Sequence, residues 1–311
     1  MNFKELLRSQ HYIPVGEHGA VKTCHWTKQS IRGKGTCYKQ KFYGIECHRC
    51  LQMTPVADRC NFNCIFCWRP MDYTQKNPLS SEEADSPKQI VKESIDAQRE
   101  LLIGFKGSDT SDKEKLKEAL EPNQVAISLA GEPTHYPKLS ELIEEYEKRG
   151  MTTFLVTNGT NPEVLKDLDP LPTQLYISMS APDEELHQKI NRPLIKDGFE
   201  RLKKSLELMK EFDCRTVVRL TLTRTGAVKP EKYAELIKKA NPMFVEAKSY
   251  MHVGPSRKRL PESEMLKHSE ILDFSKKLSE NLPEHKLVDD AEVSRVSLLS
   301  RISADEQRIQ S

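Results

Sequence analysis

The chain has 311 residues, 37% hydrophobic and 30% charged, with a formal net charge of +2. That is enough apolar material for one large or two small globular domains, and a single α/β barrel fills such a length. No apolar run approaches the ~18 residues of a membrane span, and the start Met1-Asn2-Phe3-Lys4-Glu5-Leu6-Leu7 lacks the apolar core of a signal peptide, so a cytoplasmic protein with no membrane partner is expected.

Residues 1–23 carry a short helical pattern and then the polar stretch Gly16-Glu17-His18-Gly19. Seven of the eight cysteines fall between residues 24 and 67, which a disulfide scaffold spread over the chain would not give; in a reducing compartment they read as metal ligands. Cys24, Cys37 and Cys50 stand thirteen positions apart in a glycine- and lysine-rich segment with little periodicity. Such a segment is expected to bury little apolar surface and to be held by a metal cluster instead. Cys47-His48-Arg49-Cys50 is itself a Cys-x-x-Cys pair that completes a four-thiolate zinc set with Cys24 and Cys37, so spacing leaves zinc and an iron-sulfur cluster both open. The lone Cys214 reads as a small buried thiol.

The same segment is basic. Lys22, Lys28, Arg32, Lys34, Lys39, Lys41 and Arg49 stand against the single acid Glu46, and a second basic run, Arg257-Lys258-Arg259, follows a glycine-proline turn. Positive charge gathered beside a metal site suits phosphates, and hence RNA.

Leu51 to Ala57 reads as a strand that delivers the stretch Cys60-Asn-Phe-Asn-Cys64-Ile-Phe-Cys67. Three thiolates with three and then two residues between them hold three corners of a four-iron, four-sulfur cluster and leave the fourth iron open to a small molecule. A loop runs to about Pro87, followed by a helix over Lys88 to Ile103 and a small charged helix over Asp112 to Glu121. Strands and helices then alternate, with strands over Val125–Leu129, Thr152–Val156, Gln174–Met179, Thr216–Leu222 and Met243–Ala247. The helices between them cover Lys138–Arg149, Pro162–Leu168, stretches to about Phe212, and Pro230–Ala240; a last amphipathic helix spans Pro261–Asn281. This order implies a parallel sheet with right-handed crossovers, and six units suit a partial barrel. The tail 286–311 either adds an edge strand or packs on the barrel.

Ligands in such folds collect beyond the carboxyl ends of the strands. There the sequence offers Ala130-Gly131-Glu132-Pro133-Thr134, Thr157-Asn158-Gly159-Thr160, Ser178 and Ser180, Arg219, and Tyr250-Met251-His252-Val253-Gly254.

The Cys60–Cys67 spacing, with the aromatic Phe66 before the last cysteine, resembles the radical S-adenosylmethionine (SAM) enzymes, and Gly131-Glu132-Pro133 resembles their SAM-binding glycine-glutamate motif. Together with the early cysteine triplet, Trp68-Arg69-Pro70, Thr157-Asn158-Gly159-Thr160, Asn191-Arg192-Pro193 and Tyr250-Met251-His252-Val253-Gly254, these motifs resemble the archaeal tRNA 4-demethylwyosine synthases from about residue 16 to near 300. The resemblance implies a partial (β/α)6 TIM-type barrel over 51–285, a cysteine-rich amino-terminal extension over 1–50 with a second cluster site, and a tail over 286–311.

It implies a substrate, the N1-methylguanosine at position 37 in the anticodon loop of tRNA-Phe, and a co-substrate, pyruvate. A 5'-deoxyadenosyl radical removes hydrogen from the N-methyl group, the carbon radical adds to the pyruvate carbonyl, the carboxyl carbon leaves, and ring closure gives the tricyclic base. Carried onto this chain, Cys60, Cys64 and Cys67 hold the SAM cluster, while Cys24, Cys37 and Cys50 hold a second [4Fe-4S] cluster whose free iron could bind pyruvate through its carboxylate and keto oxygens, with Cys47 unligated. Phe66, Gly131, Glu132, Thr157, Asn158, Ser178, Ser180 and Arg219 are the candidates for SAM. Lys39 or Lys41 contacts pyruvate as a cation or a Schiff base. Some homologues carry a flavodoxin-like electron-supplying domain for which this chain has no room, so an external one-electron donor protein is expected, and the enzyme is expected to be a monomer. The rivals are another radical SAM enzyme and a non-catalytic zinc-bearing RNA-binding protein.

Overall fold

The computed structural model describes residues 2–227 and 229–309. Ten strands form one sheet: β1 (Ile13–Val15), β2 (Gly19–Val21), β3 (Cys50–Thr54), β4 (Gln124–Ile127), β5 (Thr152–Thr157), β6 (Gln174–Ser178), β7 (Arg215–Leu222), β8 (Phe244–Ser249), β9 (Lys286–Ala291) and β10 (Val296–Ser300). Spatial order follows the chain except that β10 precedes β9. Strands β3 to β8 are parallel, in the sequential order of a partial barrel, and antiparallel pairs flank them on both sides. The six units expected from the sequence are these six parallel strands. The tail supplies edge strands: β10 pairs with β8 and β9 with β10.

Among the described residues twelve α-helices accompany them: α1 (Phe3–Ser9), α2 (His25–Ile31), α3 (Tyr38–Tyr43), α4 (Pro87–Leu102), α5 (Lys113–Ala119), α6 (Leu139–Glu147), α7 (Pro162–Lys166), α8 (Glu184–Asn191), α9 (Gly198–Leu208), α10 (Pro230–Ala240), α11 (His268–Glu280) and α12 (Ala304–Gln307). None is long and apolar enough to cross a membrane. Local chemistry sets their starts. Ser86 caps α4 ahead of Pro87, and Asp112 and Asp183 cap α5 and α8, each side chain accepting a hydrogen bond from a backbone N–H of the first turn. The last long helix starts at His268, not at Pro261. Residues 261–267 are instead bonded to the loop after β7, where Arg224 N–H donates to the Glu264 carbonyl and Thr225 N–H to the Glu264 carboxylate.

The parallel strands alternate between two environments, as a pleat of period two requires. Leu51, Met53, Val125, Ile127, Leu155, Leu175, Ile177, Val218, Leu220 and Val245 join the core shared with the helices. The intervening Phe154, Tyr176, Val217 and Phe244 form a second cluster with Tyr38, Phe42, Tyr43 and Ile45. This corrects one expectation. The cysteine-rich segment has no periodicity because α3 is so short, yet it buries three aromatic rings in that second cluster. Tyr43 packs edge-on to Phe244 with centroids 5.2 Å apart, and Phe42 is fully buried.

Replacing Phe42 by Ala should therefore cost ~3–5 kcal/mol in urea unfolding of the metal-free protein. An unchanged midpoint would mean that metal alone holds the segment.

Candidate active site

A cavity of about 230 Å3 opens beyond the carboxyl ends of β3 to β7. Cys60, Cys64 and Cys67 line it with Phe66, Gly131, Glu132, Thr157, Asn158, Ser178, Ser180 and Arg219, so these sequence candidates come together in one chamber. The cysteine loop is clamped by the end of α8. Asn63 N–H donates to the Asn191 carbonyl at 3.1 Å, Ile65 N–H to the Ile190 carbonyl at 2.9 Å, and the Asn191 side-chain amide approaches Cys64 Sγ at 3.4 Å. Buried Arg69 donates to the Phe62 carbonyl at 2.8 Å. Burial opposes its charge, but the adjacent Cys60, Cys67 and Cys64 outweigh that and raise its pKa.

Glu132 serves as a brace. Its carboxylate accepts from Thr157 Oγ1 at 2.6 Å, Asn158 N at 2.7 Å and Thr134 Oγ1 at 2.7 Å. It thus locks the loops after β4 and β5 together, although burial pushes its pKa above the ordinary carboxylate range against those bonds. Gly131 has φ +71°, and a Cβ there would lie 1.9 Å from the Val56 carbonyl oxygen, so the turn admits only glycine.

A second cavity of about 220 Å3 is lined by Cys24, Cys37, Cys47, Cys50, Tyr38, Lys39, Gln52 and Lys248, and it shares Ser128 and Arg219 with the first. Lys39 reaches inward, its Nζ 4.4 Å from the Tyr176 ring centroid and 4.7 Å from that of Phe154. Burial, then the charge of Arg219, lowers its pKa. Lys41 does not join this cavity. Two residues along a helix is about 200° around it, and Lys41 Nζ instead pairs with Asp289 Oδ1 on β9 at 2.7 Å. Glu246 lies beneath the second cavity, fully buried. It accepts from Arg219 Nε at 2.9 Å, from the Tyr43 hydroxyl at 2.8 Å and from the Tyr38 hydroxyl at 3.1 Å.

The thiols are not gathered as a zinc site would hold them. Tetrahedral zinc at ~2.3 Å from each sulfur draws its thiolates to about 3.8 Å apart. Among the described residues no three cysteine sulfurs lie within 4.8 Å of one another; the one group that tight is Glu46, His48 and Glu118. A cubane binds its thiolates at separate corners and spreads them wider. Cys47 Sγ accepts a hydrogen bond from Cys37 N–H at 3.3 Å, fixing the turn that presents Cys37. Burial pushes the Cys37 thiol up to about 12 and the Cys60 thiol to about 11, so ligation there displaces protons.

Residues 54–237 match the radical SAM superfamily, and residues 239–301 match a family described as wyosine base formation. The chain is 54% identical over 306 residues to the S-adenosyl-L-methionine-dependent tRNA 4-demethylwyosine synthase of Pyrococcus abyssi, covering 97% of this chain and 89% of that protein. It belongs to the tRNA 4-demethylwyosine synthases. A solved structure of TYW1 with a lysine-pyruvate adduct bound superposes with a TM-score of 0.87 at 40% identity, over 99% of this chain and 98% of that one. A crystal structure of archaeal TYW1 gives 0.79 at 36% identity, over 99% and 98%.

Sequence reasoning passed over Glu246 and Lys248 in this synthase. The signal was present: on β8 the interior residues Phe244, Glu246 and Lys248 alternate with Val245 and Ala247, and charge on the inner face of a barrel strand calls for a ligand or a buried partner. Lys22 and Tyr12 were likewise missed as a unit. Lys22 Nζ lies 4.4 Å from the Tyr12 ring centroid, and Tyr12 stacks on Trp68 at 6.1 Å.

Gly131→Ala should weaken SAM binding to the reconstituted enzyme by about tenfold or more, because the turn must open to admit a methyl group. Equilibrium dialysis with labelled SAM measures it, and binding within twofold of wild type would refute the steric argument.

Proposed function

We propose that this radical SAM enzyme converts the N1-methylguanosine at position 37 of tRNA-Phe into 4-demethylwyosine with pyruvate as the two-carbon donor. The observation that carries the reading is the pair of thiol-lined cavities that adjoin at Ser128 and Arg219, which line both. A methylene radical left on the nitrogen after hydrogen is taken from the N-methyl group would find a keto carbon held close by, where the two cavities adjoin. Cys60, Cys64 and Cys67 would hold the cluster that binds SAM, and Cys24, Cys37 and Cys50 a second [4Fe-4S] cluster. With an electron from an external donor protein, the first cluster and SAM supply the 5'-deoxyadenosyl radical. Around SAM, Gly131 gives the ligand close access to the main chain, Phe66, Thr157, Asn158, Ser178 and Ser180 offer contacts, and Glu132 holds their loops in register.

Lys39 is the residue we assign to pyruvate. Its amine lies in the second cavity with a lowered pKa, which favours the neutral nucleophile. It attacks the C2 carbonyl, and loss of water leaves an imine that fixes C2 toward the place where the cavities adjoin. The related TYW1 with a lysine-pyruvate adduct supports this chemistry. Lys41, paired with Asp289, is left as a structural contact.

The tRNA would approach past Trp68, whose ring and that of Tyr12 offer a stacking surface for an unpaired base. Arg257 and Lys258 are exposed beside it on a turn pressed against the cluster loop, where Gly254 packs on the Trp68 backbone. Neither has a carboxylate partner among the described residues, which suits them to phosphates.

Three experiments test the reading. Borohydride with labelled pyruvate should leave an adduct in the wild type and in Lys41→Ala and none in Lys39→Ala; an adduct that survives Lys39→Ala refutes the assignment. Anaerobically reconstituted wild type should hold about eight irons and the Cys24, Cys37, Cys50 triple alanine variant about four, and equal iron contents would exclude the second cluster. Replacing Arg257 and Lys258 together by Ala should weaken tRNA binding and reduce the slope of log K against log salt by about 1.5, and an unchanged slope would remove them from the interface.

A further inference from the structure

Arg219 lines both cavities, so its exposure alone does not say which ligand it serves. Its anchoring does. Nε donates to Glu246 Oε2 at 2.9 Å and Nη2 to the Tyr38 hydroxyl at 2.9 Å. Tyr38 stands between Cys37 and Lys39 on α3, so the guanidinium is tied to the very turn that presents the lysine. Arg219 and Lys39 also share one support: the guanidinium carbon and Lys39 Nζ each lie 4.4 Å from the Tyr176 ring centroid. Nη1 has no partner among the described residues and keeps its donors for a ligand.

The charge count points the same way. Beside Lys39, which serves as the neutral nucleophile, Lys248 and Arg219 line the second cavity, and among the described residues no Asp or Glu does. Glu246, the carboxylate bonded to Arg219, is already spent on that guanidinium and two tyrosines. An enclosed surplus of cations calls for an anion. Thiolates around a cluster answer part of it, and a small carboxylic acid bound at the same place would answer the rest.

We infer that Arg219 is the carboxylate anchor of the keto-acid site: its guanidinium grips the carboxylate of the two-carbon donor while Lys39 holds C2. Glu246, Tyr38 and Tyr43 act as positioning residues that keep the guanidinium where the cavities adjoin. The inference rests on the Lys39 reading above. A charge-assisted pair of this kind makes the site selective for 2-oxo acids over neutral ketones of the same size, since a ketone leaves the guanidinium without its partner.

Borohydride trapping gives a readout that needs no radical chemistry. Wild type, Arg219→Gln, Arg219→Lys and Glu246→Gln would be titrated with pyruvate and, separately, with acetone, which has the carbonyl but no carboxylate. The pyruvate concentration for half-maximal labelling of Lys39 should rise by about tenfold or more in Arg219→Gln. Acetone labelling should stay within twofold, as should the SAM concentration for half-maximal 5'-deoxyadenosine formation. Glu246→Gln should raise the pyruvate requirement while sparing acetone, whereas a merely structural role would raise both.

If Arg219→Gln fails to fold, Arg219→Lys, which keeps the charge but loses the planar fork, should still raise the pyruvate requirement selectively. An unchanged pyruvate titration overturns the inference. So does a raised SAM requirement with pyruvate unaffected, which would hand Arg219 to the SAM carboxylate. Should the wild type itself give no lysine adduct, the Lys39 reading fails. Arg219 is then judged by the pyruvate dependence of tRNA product formation, where an unchanged dependence overturns it.

Discussion

One buried carboxylate ties the active site together. Glu246 on β8 receives Arg219 from β7 and the hydroxyls of Tyr38 and Tyr43 from α3, so a single charge joins two barrel strands to the segment that carries Cys37 and Lys39. Burial penalises that charge, and Arg219 with Lys39 and the tyrosine bonds outweighs the penalty and holds its pKa below the ordinary carboxylate range. A buried ion pair is a poor source of net stability against an apolar alternative. Its retention here follows from orientation: the pair fixes a guanidinium at the boundary between two chambers.

The chambers themselves follow from the pleat. Alternate residues of β3 to β8 face either the helices or the interior. The interior positions are aromatic on one level, at Phe154, Tyr176 and Phe244, and polar on the next toward the carboxyl ends, at Ser128, Ser178, Arg219, Glu246 and Lys248. The aromatic layer receives α3 and so carries the early cysteines to the inner face. The polar layer lies where the chambers adjoin. Above it, Glu132 and the end of α8 brace the loops that hold Cys60, Cys64 and Cys67.

Features that depend on neighbouring residues in the chain were legible in advance. The Cys60–Cys67 spacing, the βα order and the glycine at 131 are local, because a loop's ligand spacing, a strand's period and a forced backbone angle are set within a few residues. The ends of elements shifted where tertiary bonds compete, as at Glu264, which is held by the loop after β7 in place of a helical turn. The early segment was misjudged as poor in core residues because Tyr38, Phe42 and Tyr43 show no repeat over a single helical turn and a half.

From its sequence alone this chain determined a radical SAM barrel and two sets of thiols, since the number and spacing of sulfurs are written in the covalent chain. Only the tertiary structure set Lys39 in the second cavity and paired Lys41 with Asp289 on β9, although the two are alike in chemistry and two residues apart. It also gave Glu132 the bonds that join the loops after β4 and β5, and set Arg219 in the lining of both chambers. Each of these outcomes depends on which distant element lies opposite a side chain: β9 for Lys41, β5 for Glu132, α3 and β8 for Arg219. Such pairings arise from the closing of the sheet, which no local pattern encodes.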